Sequence, residues 1–197
     1  MKREDLESAA VRLTYGRGLI AVPAGVGFVL IGLGNLRWGV FANNWIFGAS
    51  LAGIVAAVLL ARRYYDARFG KATFPRGQQL RFDITAGALT VVALIGGVIL
   101  DSSFDLPVSL FAISCALAMT GWLAATVGLR PHHVVVASAL LVAGAIPIWG
   151  DLADRVSVAW LPIGLATIVI GLFDHLRLVR TYGSKPTHDA ETTHVAI

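Results

Sequence analysis

The sequence predicts an all-α polytopic membrane protein, a bundle of six transmembrane helices arranged as three antiparallel hairpins. Two observations support this fold class. Of the 197 residues, 56% are hydrophobic and 14% are charged, whereas charged residues make up about 25% of a soluble domain. The hydrophobic residues also occur in six uninterrupted blocks rather than in amphipathic stripes, which is typical of helices surrounded by lipid.

The six blocks contain no Asp, Glu, Lys, Arg or His. In chain order they are Leu19–Leu36, Trp45–Ala61, Ile84–Leu100, Leu106–Leu129, Val134–Gly150 and Val156–Phe173. At about 1.5 Å per residue, blocks of roughly 17–24 residues extend about 26–36 Å, compared with about 30 Å for the hydrocarbon core of a bilayer. Each block therefore predicts one transmembrane helix.

The connections between the blocks predict the orientation of the chain. Of the 16 lysines and arginines, only Arg37 and Arg155 fall on one side of the predicted bundle. Basic residues collect on the cytoplasmic side of membrane proteins. We therefore expect both termini in the cytoplasm. The excess of arginine over lysine indicates a GC-rich bacterial genome, so we expect the chain in the cytoplasmic membrane of a bacterium. Trp38, Trp45, Trp149 and Trp160 fall at the predicted outer helix ends, as expected for an interfacial aromatic belt.

Three segments flank or interrupt the transmembrane domain, which we assign to residues 19–173. Residues 1–18 predict a cytoplasmic segment that includes a short interfacial helix. Residues 62–83 form a basic cytoplasmic loop. Residues 174–197 predict a cytoplasmic tail that is partly disordered, since the sequence after Gly183 is small, polar and contains proline.

Four carboxylates occur in the predicted outer loops: Asp101, Asp105, Asp151 and Asp154. Together they would make an acidic rim that binds a cation or a basic ligand. The competing interpretation is helix capping, because Asp105, Asp151 and Asp154 precede helix starts. Capping is favoured for these three. Asp101 ends a helix, where a negative charge is mildly unfavourable, so it is the first candidate for a ligand site.

The basic loop is the candidate contact surface for a partner or for anionic lipid. Its cationic residues are Arg62, Arg63, Arg68, Lys71, Arg76 and Arg81. Attraction to anionic headgroups, about 1 kcal/mol per basic residue near the surface, is sufficient to explain them. A docking surface for a cytoplasmic protein is the functional alternative. Nucleic acid is not expected as a partner.

Small residues at helical spacing indicate close helix packing. The candidates are Gly53, Ala57, Ala112, Ala116 and Thr120. Packing inside one bundle is the favoured interpretation, and a homo-oligomeric face is the alternative.

Few residues indicate catalysis. The pairs Asp174–His175 and His132–His133 lie at predicted membrane interfaces, but neighbouring residues on a helix point about 100° apart. The single cysteine, Cys115, has no nearby ligands for a metal. We therefore expect no catalytic residues, no metal and no cofactor.

The sequence thus predicts a non-catalytic membrane protein, an accessory, regulatory or assembly component that docks a partner through its basic loop. The alternative is a small-solute or cation transporter or channel whose outer mouth carries the aspartates. A third possibility is an enzyme that acts on lipid through Asp174 and His175, or through Asp101.

Overall fold

A computed structural model describes residues 17–69, 76–104, 106–126, 128–149 and 151–182, with the backbone alone for 76–83 and 182. In these ranges the chain is helical and forms no strands, which confirms the all-α class. The six α-helices are α1 (Ala21–Asn35), α2 (Asn44–Phe69), α3 (Arg76–Phe104), α4 (Leu110–Thr126), α5 (Pro131–Ala145) and α6 (Leu152–Tyr182). Short 3-10 helices, Gly18–Ile20 and Gly39–Ala42, precede α1 and α2.

Each predicted apolar block overlaps one of these helices, but the six helices differ in length. Four are long and apolar enough to cross a membrane: α1 with its preceding turn, α2, α3 and α6. The other two, α4 and α5, are apolar but have 17 and 15 residues. Their lengths of about 26 and 23 Å are below the roughly 30 Å of the hydrocarbon core.

Both short helices stop before the end of the blocks that predicted them, and α4 also begins later than its block does. Pro107 precedes α4, which begins only at Leu110, and Pro147 follows α5, which ends at Ala145. Ile146, the residue before Pro147, is extended, with φ −68° and ψ 126°. A residue before proline disfavours the α conformation, which explains why α5 ends before Pro147. The predicted block Leu106–Leu129 was too long at both ends, and Val134–Gly150 was too long at its C-terminal end.

The closest helix pair is α1 with α6, and residues without large side chains allow it. A Cβ atom added at Gly25 would lie 2.6 Å from the carbonyl oxygen of Gly164. The facing pairs run in antiparallel order: Gly18 with Gly171, Gly25 with Gly164, and Gly32 with Ser157. Positions seven residues apart return to the same helix face after about two turns. This seven-residue repeat lets the two backbones meet along most of α1.

The hydrophobic core lies where α4, α5 and α6 meet. It contains Phe111, Ala112, Ala116, Leu140, Ala159, Ile163 and Ala166. Trp160 packs against this core, with its ring centroid 5.1 Å from that of Phe111 and 5.2 Å from that of Phe28. Trp160 is therefore a packing residue and not part of an exposed aromatic belt. Trp38, Trp45 and Trp149 are exposed.

The bundle has two polar ends. We call the end with Arg17, Arg68 and Arg130 the basic end, and the end with Asp101, Asp151 and Asp154 the acidic end. The predicted hairpins α1–α2, α3–α4 and α5–α6 each pack, and α4 also packs on α5. Contact between α1 and α6 joins the α1–α2 hairpin to the other four helices. Residues 1–16 of the predicted N-terminal segment 1–18, with its interfacial helix, and the predicted disordered tail from Gly183 onward lie outside the described residues.

Candidate functional site

A buried carboxylate at the basic end gathers three cationic or basic side chains around it. Asp174, near the end of α6, is 5% exposed. Its Oδ1 accepts a hydrogen bond from Nη1 of Arg130 and lies 3.1 Å from Nε2 of His132. Both carboxylate oxygens lie 3.3 Å from Nε2 of His133. A buried charge is costly unless it is paired and hydrogen-bonded, and this cluster provides both.

The start of α5 positions the three partners of Asp174. Arg130 is the extended residue that precedes the helix, and Pro131 occupies its first turn. Proline fixes φ near the helical value and has no N–H to leave unpaired there. The next two residues, His132 and His133, therefore belong to the first turn. Their rings lie with centroids 4.2 Å apart and direct both Nε2 atoms at Asp174.

The two imidazoles occupy different surroundings. The His133 ring is completely buried, and its Nδ1 has no hydrogen-bond partner among the described residues. His132 is half-buried and stacks on Phe173, with ring centroids 5.5 Å apart. His132 precedes the apolar block of α5, and burial lowers the pKa of its imidazole. The physical cause is that burial disfavours the charged imidazolium.

A second polar cluster joins α2 and α6 at the same end. The completely buried Tyr65 hydroxyl accepts a hydrogen bond from the backbone N–H of Leu19 at 2.9 Å and shares another with Nδ1 of His175 at 2.8 Å. Arg17 lies over the Tyr65 ring and pairs with Asp66 at 2.8 Å. Asp174 and His175 thus contact different parts of the bundle: Asp174 contacts the start of α5 and His175 contacts α2, so α6 is held from both sides.

At the acidic end, Asp101 lies in α3 but caps the N-terminus of α4. It is 2% exposed, and its carboxylate accepts hydrogen bonds from the backbone N–H groups of Leu110 at 2.5 Å and Phe111 at 3.2 Å. These are free donors in the first turn of α4. This accounts for a carboxylate in the last turn of α3, which sequence reasoning had left without a structural role.

The other predicted acidic residues are not gathered around a common centre. Asp151 accepts a hydrogen bond from the backbone N–H of Asp154 at 2.9 Å at the start of α6, in the manner of a helix cap. Both residues are exposed. Asp105 lies outside the described residues. Buried Arg155 donates from Nη1 to the carbonyl oxygen of Leu106 at 2.6 Å, which fixes the connection between α3 and α4.

Part of the predicted basic surface lies on α2. Arg62, Arg63 and Arg68 are exposed on the helical extension of α2 beyond its apolar block. Lys71 lies outside the described residues, as do the side chains of Arg76 and Arg81.

The predicted packing residues divide into two groups. In α4, Ala112 and Ala116 are buried in the core, and the Thr120 hydroxyl bonds the carbonyl oxygen of Ala116 at 2.7 Å. In α2, Ala57 is half-buried, whereas Gly53 is exposed with no atom within 4 Å of the place its Cβ would occupy. Internal packing therefore accounts for the small residues of α4 but not for Gly53.

An apolar cavity of about 240 Å³ lies between α1, α3, α4, α5 and α6. Its larger lining residues include Phe28, Leu94, Met119, Trp122, Trp160 and Ile163. Among the described residues that line it, none is charged, and hydroxyl and thiol groups come from Thr90, Thr167 and Cys115.

Sequence reasoning missed three features of this arrangement. The repeat of Gly164 and Gly171 in α6, matching that of α1, was visible as seven-residue spacing. The association of Asp174 with the start of α5 was not visible, because 41 residues separate it from His133. The contact between Tyr65 and His175 spans 110 residues, and no local pattern encodes it.

The fold and the four long apolar helices together indicate a helical membrane protein. Comparisons with protein-family models, with curated proteins and with solved structures found no match to this chain.

Proposed function

We propose that this chain is a non-catalytic assembly component of a bacterial cytoplasmic membrane, crossing it six times with both termini inside. The concentration of arginine and lysine at one end of the bundle supports the orientation. The helices α4 and α5 are shorter than the hydrocarbon core but lie beside longer helices. A short transmembrane helix is accommodated when the bilayer thins locally and when flanking residues extend toward the interface.

The observation that carries the assembly role is the outward face of α2. Ala49, Ala52, Gly53 and Ala56 are all exposed and fall within two helical turns. At about 100° per residue, these four positions occupy one side of the helix, opposite Ala61 and Tyr65, which are buried against the bundle. The face is therefore a strip of small residues turned away from its own protein.

In lipid, such a strip favours another helix. Burying apolar side chains gives little association energy there, whereas small residues allow two backbones to approach and gain van der Waals contact. The α1–α6 pair of this chain uses the same chemistry. We therefore propose that a transmembrane helix of a partner protein packs against the small-residue face of α2.

The basic extension of α2 continues this surface. Arg63 lies about two turns beyond Ala56 on the same side of the helix and is exposed, as are Arg62 and Arg68. Arg63 would contact acidic side chains of the partner, and Arg62 and Arg68, which lie on other sides of the helix, would contact anionic headgroups around it. The predicted docking role of the basic residues is thereby combined with a contact inside the membrane.

The transport alternative is less well supported by the described residues. Its proposed mouth relied on the four aspartates, of which Asp101 and Asp151 are engaged with helix N-termini. The cavity between the helices has an uncharged lining. Pathways for ions and protons place ionisable groups along their course.

Affinity purification from membranes of cells that express the protein naturally tests the assembly role. The double variant Gly53→Leu/Ala56→Leu should lose the partner recovered with the wild type, because leucine side chains separate the backbones. The matched control is Gly87→Leu/Ala88→Leu, which places the same side chains on exposed positions of α3 and should retain the partner. The unfolding temperatures of all three proteins should agree.

Retention of the partner by the α2 variant would contradict the proposal, and so would loss with both variants. Recovery of only a differently tagged second copy would replace it with a homo-oligomer.

A further inference from the structure

We propose that His132, His133 and Asp174 form a binding site for a divalent transition metal, with Zn²⁺ as the best match. This inference goes beyond the assembly role and does not depend on it. Nitrogen and carboxylate oxygen donors in this combination suit Zn²⁺, which takes three protein ligands and leaves one position open in many sites.

The distances between the three donor atoms are the first observation that supports a metal site. The Nε2 atom of His132 is 3.1 Å from Oδ1 of Asp174, and that of His133 is 3.3 Å from either oxygen. One donor atom from each residue lies within 4.8 Å of the other two. In a tetrahedral site with metal–ligand bonds of about 2.0–2.1 Å, neighbouring ligand atoms are roughly 3.3 Å apart. The ligands thus need only small movements to surround an ion.

The surroundings hold the donors in place. His133 and Asp174 are buried, and Pro131 and the first turn of α5 fix the course of the backbone at both histidines. Stacking on Phe173 orients the ring of His132. A ligand set whose orientation is already determined loses little conformational entropy when the metal binds. His132 is half-buried, so an ion can reach the site from the basic end.

Arg130 is the group that opposes metal binding. Its guanidinium bonds the same Oδ1 atom of Asp174 that faces His132. A cation so close to a divalent ion is unfavourable, so the metal and the guanidinium compete for the carboxylate. Arg130 precedes the helix and its side chain is 15% exposed, which allows the guanidinium to move toward the headgroups when a metal enters.

The same contacts have a competing explanation, a permanent ion-paired lock between α5 and α6. The two explanations make opposite predictions for Arg130→Gln. If the cluster is a metal site, removal of the competing cation strengthens metal binding. If the cluster is only a lock, the variant binds no metal and merely leaves Asp174 with one partner fewer.

Isothermal titration calorimetry of the full-length protein in detergent, purified through a tag without histidine and treated with a chelator, measures Zn²⁺ binding. Co²⁺ titrated in parallel reports a four-coordinate site by visible absorption. We expect one saturable site in the wild type. His132→Ala and Asp174→Asn should each bind at least about tenfold more weakly, and Arg130→Gln should bind more tightly.

The matched control is His188→Ala/His194→Ala, which removes two histidines outside the described residues and should leave the affinity unchanged. Absence of saturable binding in both the wild type and Arg130→Gln would overturn the proposal. Equal affinity in the wild type, His132→Ala and Asp174→Asn would also overturn it, because the ion would then be held elsewhere. Size-exclusion profiles identify any variant that fails to fold, and the gain expected for Arg130→Gln cannot arise from misfolding.

Discussion

Asp101 illustrates how a single charged side chain is accommodated in this bundle. A carboxylate in the last turn of a helix faces the negative end of that helix's dipole. In the folded chain, however, the nearest free N–H groups belong to Leu110 and Phe111 of the following helix, and both bond the carboxylate. The positive end of α4 therefore offsets the unfavourable position in α3 and the cost of burying the charge.

Replacing Asp101 with alanine should destabilise the protein by about 1–3 kcal/mol, because two buried N–H groups lose their acceptor. For a chain of this size, that corresponds to a fall of roughly 2–10 °C in the thermal unfolding temperature, measured in detergent micelles. Asp154→Ala is the control, since Asp154 is exposed, and should change stability by less than about 0.5 kcal/mol. An unfolding temperature for Asp101→Ala equal to that of the control would show that the cap contributes nothing.

At the scale of helices, the α1–α6 pair depends on the absence of side chains. Because a Cβ at Gly25 would meet the backbone of α6 and a Cβ at Gly164 would meet that of α1, neither helix can yield by rotating a side chain. The repeat of small residues at seven-residue intervals preserves this contact along the antiparallel pair. Substitution of these glycines by larger residues should therefore destabilise the protein, whereas substitution of glycines that face open space should not.

Gly25→Ala should destabilise the protein by about 1–3 kcal/mol, because the added methyl group requires a shift of backbone and not only of side chains. Gly87→Ala is the matched control. It makes the same chemical change on α3, at a position with no atom within 4 Å, and should be neutral or slightly stabilising, since alanine is the better helix former. Thermal unfolding of both variants under identical conditions measures the difference. Equal unfolding temperatures would mean that α1 and α6 do not approach this closely.

For the molecule as a whole, the two ends of the bundle differ in chemistry. Ion pairs and histidines at the basic end join α2, α5 and α6 to the turn before α1. At the acidic end, Asp101 and Arg155 fix the segment between α3 and α4. The middle of the bundle is held by glycine contacts and an apolar core. This distribution is typical of a protein in a bilayer, where polar groups lie at the two aqueous interfaces and apolar groups lie in the hydrocarbon core.

The proposed orientation predicts which end a membrane-impermeant thiol reagent can reach. In a Cys115→Ser background, a cysteine replacing Ala153 at the acidic end should be labelled in intact cells. A cysteine replacing Arg177 at the basic end should be labelled only after lysis. Both positions are exposed, so access depends on the membrane and not on burial. The reverse pattern would exclude cytoplasmic termini.

The sequence was sufficient to locate six helices because the apolar blocks are uninterrupted. It was insufficient at helix ends such as the end of α5 before Pro147, where a local backbone restriction overrides composition. The contacts of Asp174 with His132 and His133 join distant parts of the chain, and residue spacing contains no information about them. For the same reason Trp160 was misplaced: its indole packs between Phe28 and Phe111, which are distant in sequence.

The intimate pairing of α1 with α6 also bears on biogenesis. A ribosome synthesises α1 before α2–α5 and synthesises α6 after them, so the helix that shields the glycine face of α1 is absent while the four intervening helices are made. Throughout insertion, the early helices must remain stable in the bilayer with that glycine face occupied by lipid. The contact between α1 and α6 can consequently form only after α6 has entered the membrane.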